Sequence, residues 1–293
     1  MITWNAQLAH ETPAVLGEGS LWDAPTQRLY WVDIYGQRLF CTRPESNETQ
    51  CWELESIVAT VVLGETGRPI VALRDGLASF EPGKPLQRLV DIERSLSGNR
   101  LNDGKCDPLG RLWVGSMVED GEPGRATLYC VDGELRVRPL LERLTLSNGL
   151  AWTDAGRTFY HIDSPQQTVV RYECELAGPE LHHREVVFEF SKELGMPDGM
   201  CADEDGQLWV ALFGGHRVVR VDPVRQIITG QVRVEAKNVT SCAFGGREGR
   251  TLFITTARLA TSDVELERRP FAGSLFQVQL PMAGIGYHRF AGL

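Results

Sequence analysis

The sequence repeats one short pattern along almost its whole length. A small polar cluster, usually containing glycine, leads about a dozen residues later into an apolar run that carries Trp, Tyr or Phe. Five such units begin at residues 17, 102, 147, 197 and 240, and a degenerate sixth unit surrounds residues 61–64. Their spacing of about 40 to 50 residues fits four short strands per unit and is typical of the blades of a β-propeller.

The local chemistry within each unit favours antiparallel hairpins. Residues 107–110, 154–156 and 203–206 combine Asp with Gly, and in one case with Pro, which are turn-forming residues. The runs that follow alternate apolar and other side chains with a period of two, as strands do. The pattern therefore predicts an all-β protein with six blades.

The two ends of the chain are expected to close the ring. Strand-like residues 3–8 and 273–278 are predicted to share the last blade. No linker, low-complexity tract or charge block marks a second domain. The one helical turn that the sequence suggests, at residues 190–194, is too short to change the fold class. We interpret residues 1–293 as a single six-bladed β-propeller domain.

Composition argues against several classes of function. The 293 residues carry a formal net charge of −9, whereas nucleic-acid-binding domains present basic patches to phosphate. No run of about 18 consecutive apolar residues is present, so no membrane-spanning helix is expected. The first residues lack the basic and apolar regions of a signal peptide. We therefore expect a cytoplasmic protein with no nucleic-acid or membrane partner.

Cysteine usage agrees with that compartment. The seven cysteines are odd in number, are spread along the chain and include no Cys-x-x-Cys pair. Free thiols in a reducing cytoplasm explain this pattern more simply than disulfides or a zinc site. The sequence leaves the oligomeric state open, and a monomer is consistent with it.

One position of the repeat carries oxygen-bearing side chains. Glu18, Asn148 and Asp198 each stand immediately before a glycine, at equivalent points of three units. The innermost strand of a propeller blade lines the central channel, so repeat symmetry predicts that these side chains converge at the channel mouth. Two carboxylates and an amide oxygen form a hard ligand set for one divalent cation, which could be Ca²⁺, Mg²⁺, Mn²⁺, Fe²⁺ or Zn²⁺. Three protein ligands leave positions open for water and substrate.

The same dipeptides also have a purely structural interpretation. Asp-Gly and Asn-Gly are common turn sequences, and any one of them taken alone is better explained as a turn. However, the second set of Asp and Gly residues in each unit already supplies the hairpin turns, which leaves the first set for another role. In the third unit the repeat register places Asp103, rather than its neighbour Asn102, at the equivalent position.

These stretches resemble the motifs of a known family. Residues 16–19, 99–107, 147–151 and 197–200 are similar, in sequence, order and spacing, to motifs of the regucalcin/gluconolactonase family (senescence marker protein type), and the resemblance covers nearly the whole chain. The resemblance implies a six-bladed propeller with one divalent cation in the channel. It also implies a carboxylic-ester hydrolase that converts a sugar lactone into the aldonic acid.

The resemblance assigns the cation ligands. It makes Glu18, Asn148 and Asp198 the residues that hold the metal. The metal would act as a Lewis acid on the lactone carbonyl, and Asp198 would also activate or orient the attacking water.

Substrate contacts follow from the same resemblance. It gives Arg100 and Asn102 contacts to the sugar and prefers Asn102 to Asp103 near the metal. Because a shift of one residue turns a side chain to the opposite face of a strand, only one of these two is expected there. The family segment matched by residues 115–120 ends in an acidic residue that contacts substrate, usually Glu; here it is Asp120, one methylene shorter.

Two other functions stay open at this point. Six-bladed propellers of similar appearance hydrolyse phosphotriesters or fluorophosphates at a similar cation site. However, Arg100, Asn102 and Asp120 favour a polyol substrate. A non-catalytic calcium-binding or recognition propeller is the other alternative. Residues 29–33 are similar to the repeat of extracellular receptor propellers, but this motif occurs once here. The sequence selects neither the sugar nor the metal.

Overall fold

A computed structural model describes residues 1–119, 122–175 and 178–292 of the chain. Within these residues six β-sheets follow one another along the sequence, and the innermost strand of each contacts the innermost strands of both neighbouring sheets. This closed arrangement is a six-bladed β-propeller, and the predicted fold class is confirmed. Of the predicted substrate residues, Asp120 lies outside the described residues.

The blades are built from short strands in sequence order. The strands are β1 (Ile2–Asn5), β2 (Gln7–His10), β3 (Gly17–Asp23), β4 (Arg28–Asp33), β5 (Arg38–Arg43), β6 (Glu48–Glu53), β7 (Val58–Leu63), β8 (Pro69–Leu73), β9 (Gly76–Ser79), β10 (Gln87–Asp91), β11 (Asn99–Cys106), β12 (Leu112–Val118), β13 (Ala126–Val131), β14 (Val137–Leu144), β15 (Ser147–Thr153), β16 (Thr158–Asp163), β17 (Thr168–Cys174), β18 (Leu181–Glu189), β19 (Met196–Ala202), β20 (Leu208–Phe213), β21 (Arg217–Asp222), β22 (Ile227–Arg233), β23 (Asn238–Gly245), β24 (Thr251–Ala257) and β25 (Leu275–Gln279). Blades one to five begin at β3, β7, β11, β15 and β19, and blade six begins at β23.

The N-terminal segment closes the ring as predicted, but its two strands join two different blades. β2 pairs antiparallel with β25, so the last blade contains both ends of the chain. β1 instead pairs in parallel with β22 and adds a fifth strand to the edge of blade five. Residues 3–8, expected as one strand, are therefore divided at Ala6, whose amide donates to the Arg233 carbonyl over 2.9 Å.

Helical structure in the described residues is limited to short segments. α1 (Asp263–Arg268) lies between β24 and β25, and Ser262 caps it by accepting a hydrogen bond from the Glu265 amide over 3.3 Å. The sequence pattern does not predict α1, because six residues give too little periodicity. Three single turns of 3-10 helix cover Asp154–Gly156, Ser164–Gln166 and Lys192–Leu194, and the last agrees with the predicted helical turn. No described helix has the length and apolar character needed to cross a membrane.

Tryptophan and aspartate recur at equivalent places and join the blades. Trp113 and Trp209 are fully buried on β12 and β20. Their indole N–H groups donate to Asp107 over 3.0 Å and to Asp203 over 2.8 Å, and these carboxylates also accept amides of their own hairpin turns. Trp113 packs edge-on against Trp152 of the next blade, with ring centroids 5.3 Å apart. The indole donor is thus satisfied while the ring fills the space between blades.

Every innermost strand is interrupted at the same level. Pairing with the second strand of the blade shifts register between residues 18 and 21, 58 and 60, 101 and 104, 148 and 150, 197 and 200, and 239 and 241. A bulge releases a strand from strict alternation and redirects side chains, which is why bulges are common next to functional sites. The three predicted ligands stand at three of these interruptions.

The last residues cover the opposite end of the channel. We call residues 281–292 the C-terminal strap. In this segment the Ile285 amide donates to the Ala202 carbonyl over 3.0 Å, and the Phe290 amide donates to the Leu63 carbonyl over 2.8 Å. Both acceptors end an innermost strand, on the side away from the bulges. The strap therefore spans blades five and two and closes the channel below the predicted site.

Candidate cation and substrate site

Three innermost strands bring the predicted ligands together. Glu18 lies on β3, Asn148 on β15 and Asp198 on β19, and each is more than nine-tenths buried. The glycine that follows the ligand has a φ of +59° at Gly19 and +42° at Gly149. Side chains other than glycine rarely adopt this conformation. Gly19 and Gly149 are therefore required by the backbone that presents Glu18 and Asn148.

Asn148 and Asp198 contact each other directly, and the Glu18 carboxyl group lies near enough to Asp198 for their charges to interact. Asn148 Nδ2 donates to Asp198 Oδ1 over 2.5 Å and to Ser164 Oγ over 3.1 Å. Glu18 Oε2 accepts the Gly19 amide over 3.0 Å, and the negative charge of Asp198 acts on the Glu18 carboxyl group. Asn148 Oδ1 is buried without a hydrogen-bond partner among the described residues. The cluster thus presents a free amide oxygen beside two crowded carboxyl groups.

Burial and nearby negative charge raise the pKa values of both carboxyl groups. The pKa of Glu18 lies well above its ordinary value, first because the group is buried and then because Asp198 and Asp103 add negative charge nearby. Burial, followed by the charge of Asp103, raises the pKa of Asp198 in the same direction. The positive charge of Arg100 opposes both shifts. A divalent cation would relieve this repulsion and take the free Asn148 oxygen as a ligand, so the donor set fits a cation.

Asn102 and Asp103 both belong to the site. Asp103 Oδ1 accepts the Gly104 amide over 2.8 Å, and its charge acts on both ligand carboxyl groups. Asn102 Oδ1 accepts a hydrogen bond from Arg100 Nη1 over 2.8 Å, and its Nδ2 donates to the Ser147 carbonyl over 3.0 Å. The register shift of β11 falls on these two residues, so the alternation expected to turn one of them away does not apply.

Arg100 is held from three sides beside the cluster. Its side chain is 3% exposed, and Nη1 donates to the Leu101 carbonyl over 2.9 Å as well as to Asn102. Its Cζ lies 5.4 Å from the centroid of the Tyr35 ring, which is a cation–π contact. Glu119 Oε1 is 3.8 Å from Nε, and Nε has no hydrogen-bond partner within the described part of the chain. Arg100 therefore keeps a donor for an oxygen-rich ligand.

Two of these contacts are not predicted by the sequence. Tyr35 lies in the turn between β4 and β5 and is 36% exposed. Glu119 follows β12, and its Oε2 pairs with Arg74 Nη1 over 2.6 Å. Turn residues give no periodic signal, and these two lie in different blades from each other. The acidic contact expected at Asp120 is the one sequence signal that points to this loop.

A buried histidine beside the cluster is also not predicted. His161 Nε2 lies 2.8 Å from Ser147 Oγ, and burial lowers the pKa of His161 to about 3. The imidazole is therefore neutral at physiological pH. Because Ser147 adjoins Asn148 and its carbonyl accepts the Asn102 amide, His161 supports the backbone that carries a ligand rather than exchanging protons with substrate.

Fold and site together define a class of protein: a six-bladed propeller whose channel holds a mixed carboxylate and amide cluster beside a buried arginine. Within the described ranges no group of three or more His, Cys, Asp or Glu side chains is arranged to hold a metal, so the candidate cation site depends on the amide of Asn148. The chain belongs to the SMP-30/gluconolactonase/LRE-like family, whose sequence profile matches residues 16–258. The resemblance carried by the motifs is confirmed.

Relatives in sequence and in structure agree with this assignment. YvrE of Bacillus subtilis (strain 168), provisionally named a sugar lactone lactonase, is 38% identical over 292 residues, which cover 98% of this chain and 99% of YvrE. Regucalcin of Gallus gallus is 32% identical over 284 residues, covering 94% of this chain and 95% of the relative. The solved structure of the calcium-binding protein regucalcin of Agrobacterium tumefaciens str. C58 matches with a TM-score of 0.93 and 25% identity, covering 99% of this chain and 98% of that chain.

Proposed function

We propose that the protein hydrolyses a sugar lactone to the aldonic acid, with one divalent cation held by Glu18, Asn148 and Asp198. The observation that carries the proposal is the convergence of these three side chains, from three blades, on a buried point beside Arg100. The name of a relative that is similar over its full length supports the substrate class. A cyclic ester with several hydroxyl groups also suits the polar surroundings of the cluster.

The ligand residues have separate tasks in this reaction. Glu18 and Asp198 would hold the cation through carboxylate oxygens, and Asn148 would hold it through Oδ1, which has no hydrogen-bond partner among the described residues. A divalent cation supplies Lewis acidity toward the ester carbonyl and lowers the pKa of a bound water. Asp198 takes a proton from the attacking water on its carboxylate and returns that proton to the ring oxygen as the ester bond breaks. General base catalysis of this kind contributes about 10²- to 10⁴-fold in rate.

Arg100 has the task of stabilising charge. Negative charge develops on the lactone carbonyl oxygen when water adds, and a fixed donor in a buried site stabilises that charge strongly. Arg100 is buried and is oriented by Leu101 and Asn102, and its Nε has no hydrogen-bond partner among the described residues. Arg100, Asn102 and Glu119 together surround the cluster with polar groups, which favours a polyol lactone over an aryl phosphotriester.

A lactone panel assayed with a pH indicator tests the proposal. Protein stripped with a chelator should be inactive, and activity should return on addition of one of Ca²⁺, Mg²⁺, Mn²⁺, Fe²⁺ or Zn²⁺. Glu18→Gln and Asp198→Asn should each reduce kcat at least 100-fold, while Glu134→Gln, whose side chain is 74% exposed, serves as the matched control. Full turnover by Asp198→Asn in metal-reloaded protein would exclude the proposed site.

Two further measurements separate the alternative functions. Hydrolysis of an aryl phosphotriester faster than of every lactone would indicate phosphotriesterase chemistry on the same cluster. Tight Ca²⁺ binding without turnover of any ester would indicate a binding protein.

A further inference from the structure

Lys105 joins the strands that carry two of the three ligands. It lies on β11, and its Nζ donates to the Leu150 carbonyl over 3.0 Å and to the Met200 carbonyl. Leu150 is two residues after Asn148 on β15, and Met200 is two residues after Asp198 on β19. One ammonium group therefore ties three innermost strands together, at the level immediately below the cluster.

The C-terminal strap covers this ammonium from the other side. The ring centroid of Tyr287 lies 5.6 Å from Lys105 Nζ, which is a cation–π contact. Tyr287 packs against two hydrophobic clusters, one formed by blades one and two and the other by blades six and one. Its hydroxyl has no hydrogen-bond partner among the described residues, so the contact with Lys105 depends on the face of the ring.

We propose that Lys105, supported by Tyr287, is a positioning residue that fixes the separation of Asn148 and Asp198. This inference rests on the proposed function in taking the cluster as a cation site. Only one glycine residue separates each carbonyl from its ligand, so displacement of the carbonyl is passed to the ligand even though the pairing shifts register there. Displacements of about 1 Å in such groups cost roughly 100-fold in activity. A single donor that holds both carbonyls therefore sets the ligand geometry.

A simpler role for Lys105 predicts the opposite effect. Burial raises the pKa of Asp103 and the charge of Lys105 opposes that rise, so Lys105 could serve merely to offset the negative cluster. In that case, loss of the charge would leave the site more negative and a divalent cation would bind more tightly. If Lys105 instead positions the ligands, its loss lets β15 and β19 relax and the cation binds more weakly. The sign of the change in affinity distinguishes the two roles.

The test compares Lys105→Met, Tyr287→Leu and Tyr287→Phe with the wild-type protein. Ca²⁺ affinity is measured by calorimetry, and amide hydrogen exchange is measured on metal-free protein. Lys105→Met should weaken Ca²⁺ binding at least tenfold and accelerate exchange in peptides from β15 and β19, but not in those from β3. Tyr287→Leu should change both in the same direction by a smaller factor. Tyr287→Phe keeps the ring and should match the wild type.

The outcomes also separate this inference from the proposed function. Unchanged or tighter Ca²⁺ binding in Lys105→Met, with unchanged exchange in β15 and β19, overturns the positioning role whether or not any lactone is hydrolysed. If the wild type binds no Ca²⁺, exchange in the metal-free protein decides alone. If Lys105→Met does not fold, the contrast between Tyr287→Leu and Tyr287→Phe decides, and identical behaviour of these two variants overturns the inference.

Discussion

Asn148 connects blade four to blade five, because its Nδ2 donates to Asp198 Oδ1 across 2.5 Å while its own Oδ1 has no partner among the described residues. A buried amide normally uses both ends, since an unpaired polar atom in the interior costs about 1–3 kcal/mol. This half-satisfied amide is therefore maintained at a cost in stability. A bound cation would supply the missing partner of Asn148 Oδ1, which explains why the unpaired oxygen is kept despite its cost in stability.

The first prediction concerns this amide. Asn148→Leu removes the free oxygen while keeping a side chain of similar size. We expect divalent-cation affinity to fall at least 100-fold and lactone hydrolysis to fall with it, because one of the three proposed ligands is lost. Calorimetric titration of the variant with Ca²⁺ measures the effect. Wild-type affinity in a folded variant would show that Asn148 is not a ligand.

The second prediction concerns the pH dependence of stability. Both ligand carboxyl groups have pKa values raised by burial above the ordinary values of 4.5 for Glu18 and 3.8 for Asp198. At pH values between the ordinary pKa and the raised pKa of each group, the folded metal-free protein therefore binds more protons than the unfolded chain. The free energy of unfolding of the metal-free protein should therefore fall as pH rises through this interval.

Asp198→Asn tests this dependence, since it removes one of the buried charges. The variant should melt about 2–4 °C above metal-free wild type at pH 8, the shift that roughly 1 kcal/mol produces in a chain of this size. The difference should shrink toward pH 4. Thermal unfolding of both proteins across that pH range provides the measurement, and a variant that is less stable at pH 8 would contradict the electrostatic account.

Repeat symmetry explains why the convergence of the three candidate ligands could be predicted. Glu18, Asn148 and Asp198 occupy one register position in a pattern that recurs around the ring, so the sequence alone indicates that they converge. The same reasoning fails for the contacts of Arg100 with Tyr35 and Glu119, because these residues lie in turns and the repeat does not specify how turns fold over the channel.

The limits of strand prediction have a similar cause. Residues 3–8 alternate as a strand, and this pattern is the same whether the strand joins blade five or blade six; the structure divides it between β1 and β2. The bulge in β11 likewise depends on pairing with β12, so alternation within one strand could not show that Asn102 and Asp103 both enter the site.

The third prediction concerns the ring that packs on Arg100. Tyr35→Leu removes the cation–π contact at 5.4 Å, and such contacts contribute about 0.5–2 kcal/mol. We expect kcat/KM for the preferred lactone to fall about three- to tenfold, because the guanidinium that stabilises the developing charge loses one packing contact but keeps its bonds to Leu101 and Asn102. Tyr35→Phe keeps the ring and should behave as wild type. An unchanged kcat/KM in Tyr35→Leu would show that the ring does not help to hold Arg100 in place.

The last prediction concerns Asp203, a buried carboxylate that links a hairpin turn of blade five to the core of the blade. Asp203 is fully buried and accepts hydrogen bonds from the Gln207 amide over 3.0 Å, Trp209 Nε1 over 2.8 Å and Arg220 Nε over 2.7 Å. Asp203→Ala leaves a mostly buried guanidinium and a buried indole N–H without this acceptor, so we expect a loss of about 3–5 kcal/mol in the free energy of unfolding. Asp205→Asn is the matched control, because Asp205 pairs with the same arginine over 2.8 Å but is 60% exposed, and it should cost less than about 1 kcal/mol. Urea unfolding of metal-free proteins measures both values. Equal losses would mean that the ion pair at the surface, rather than the buried acceptor, holds this blade together.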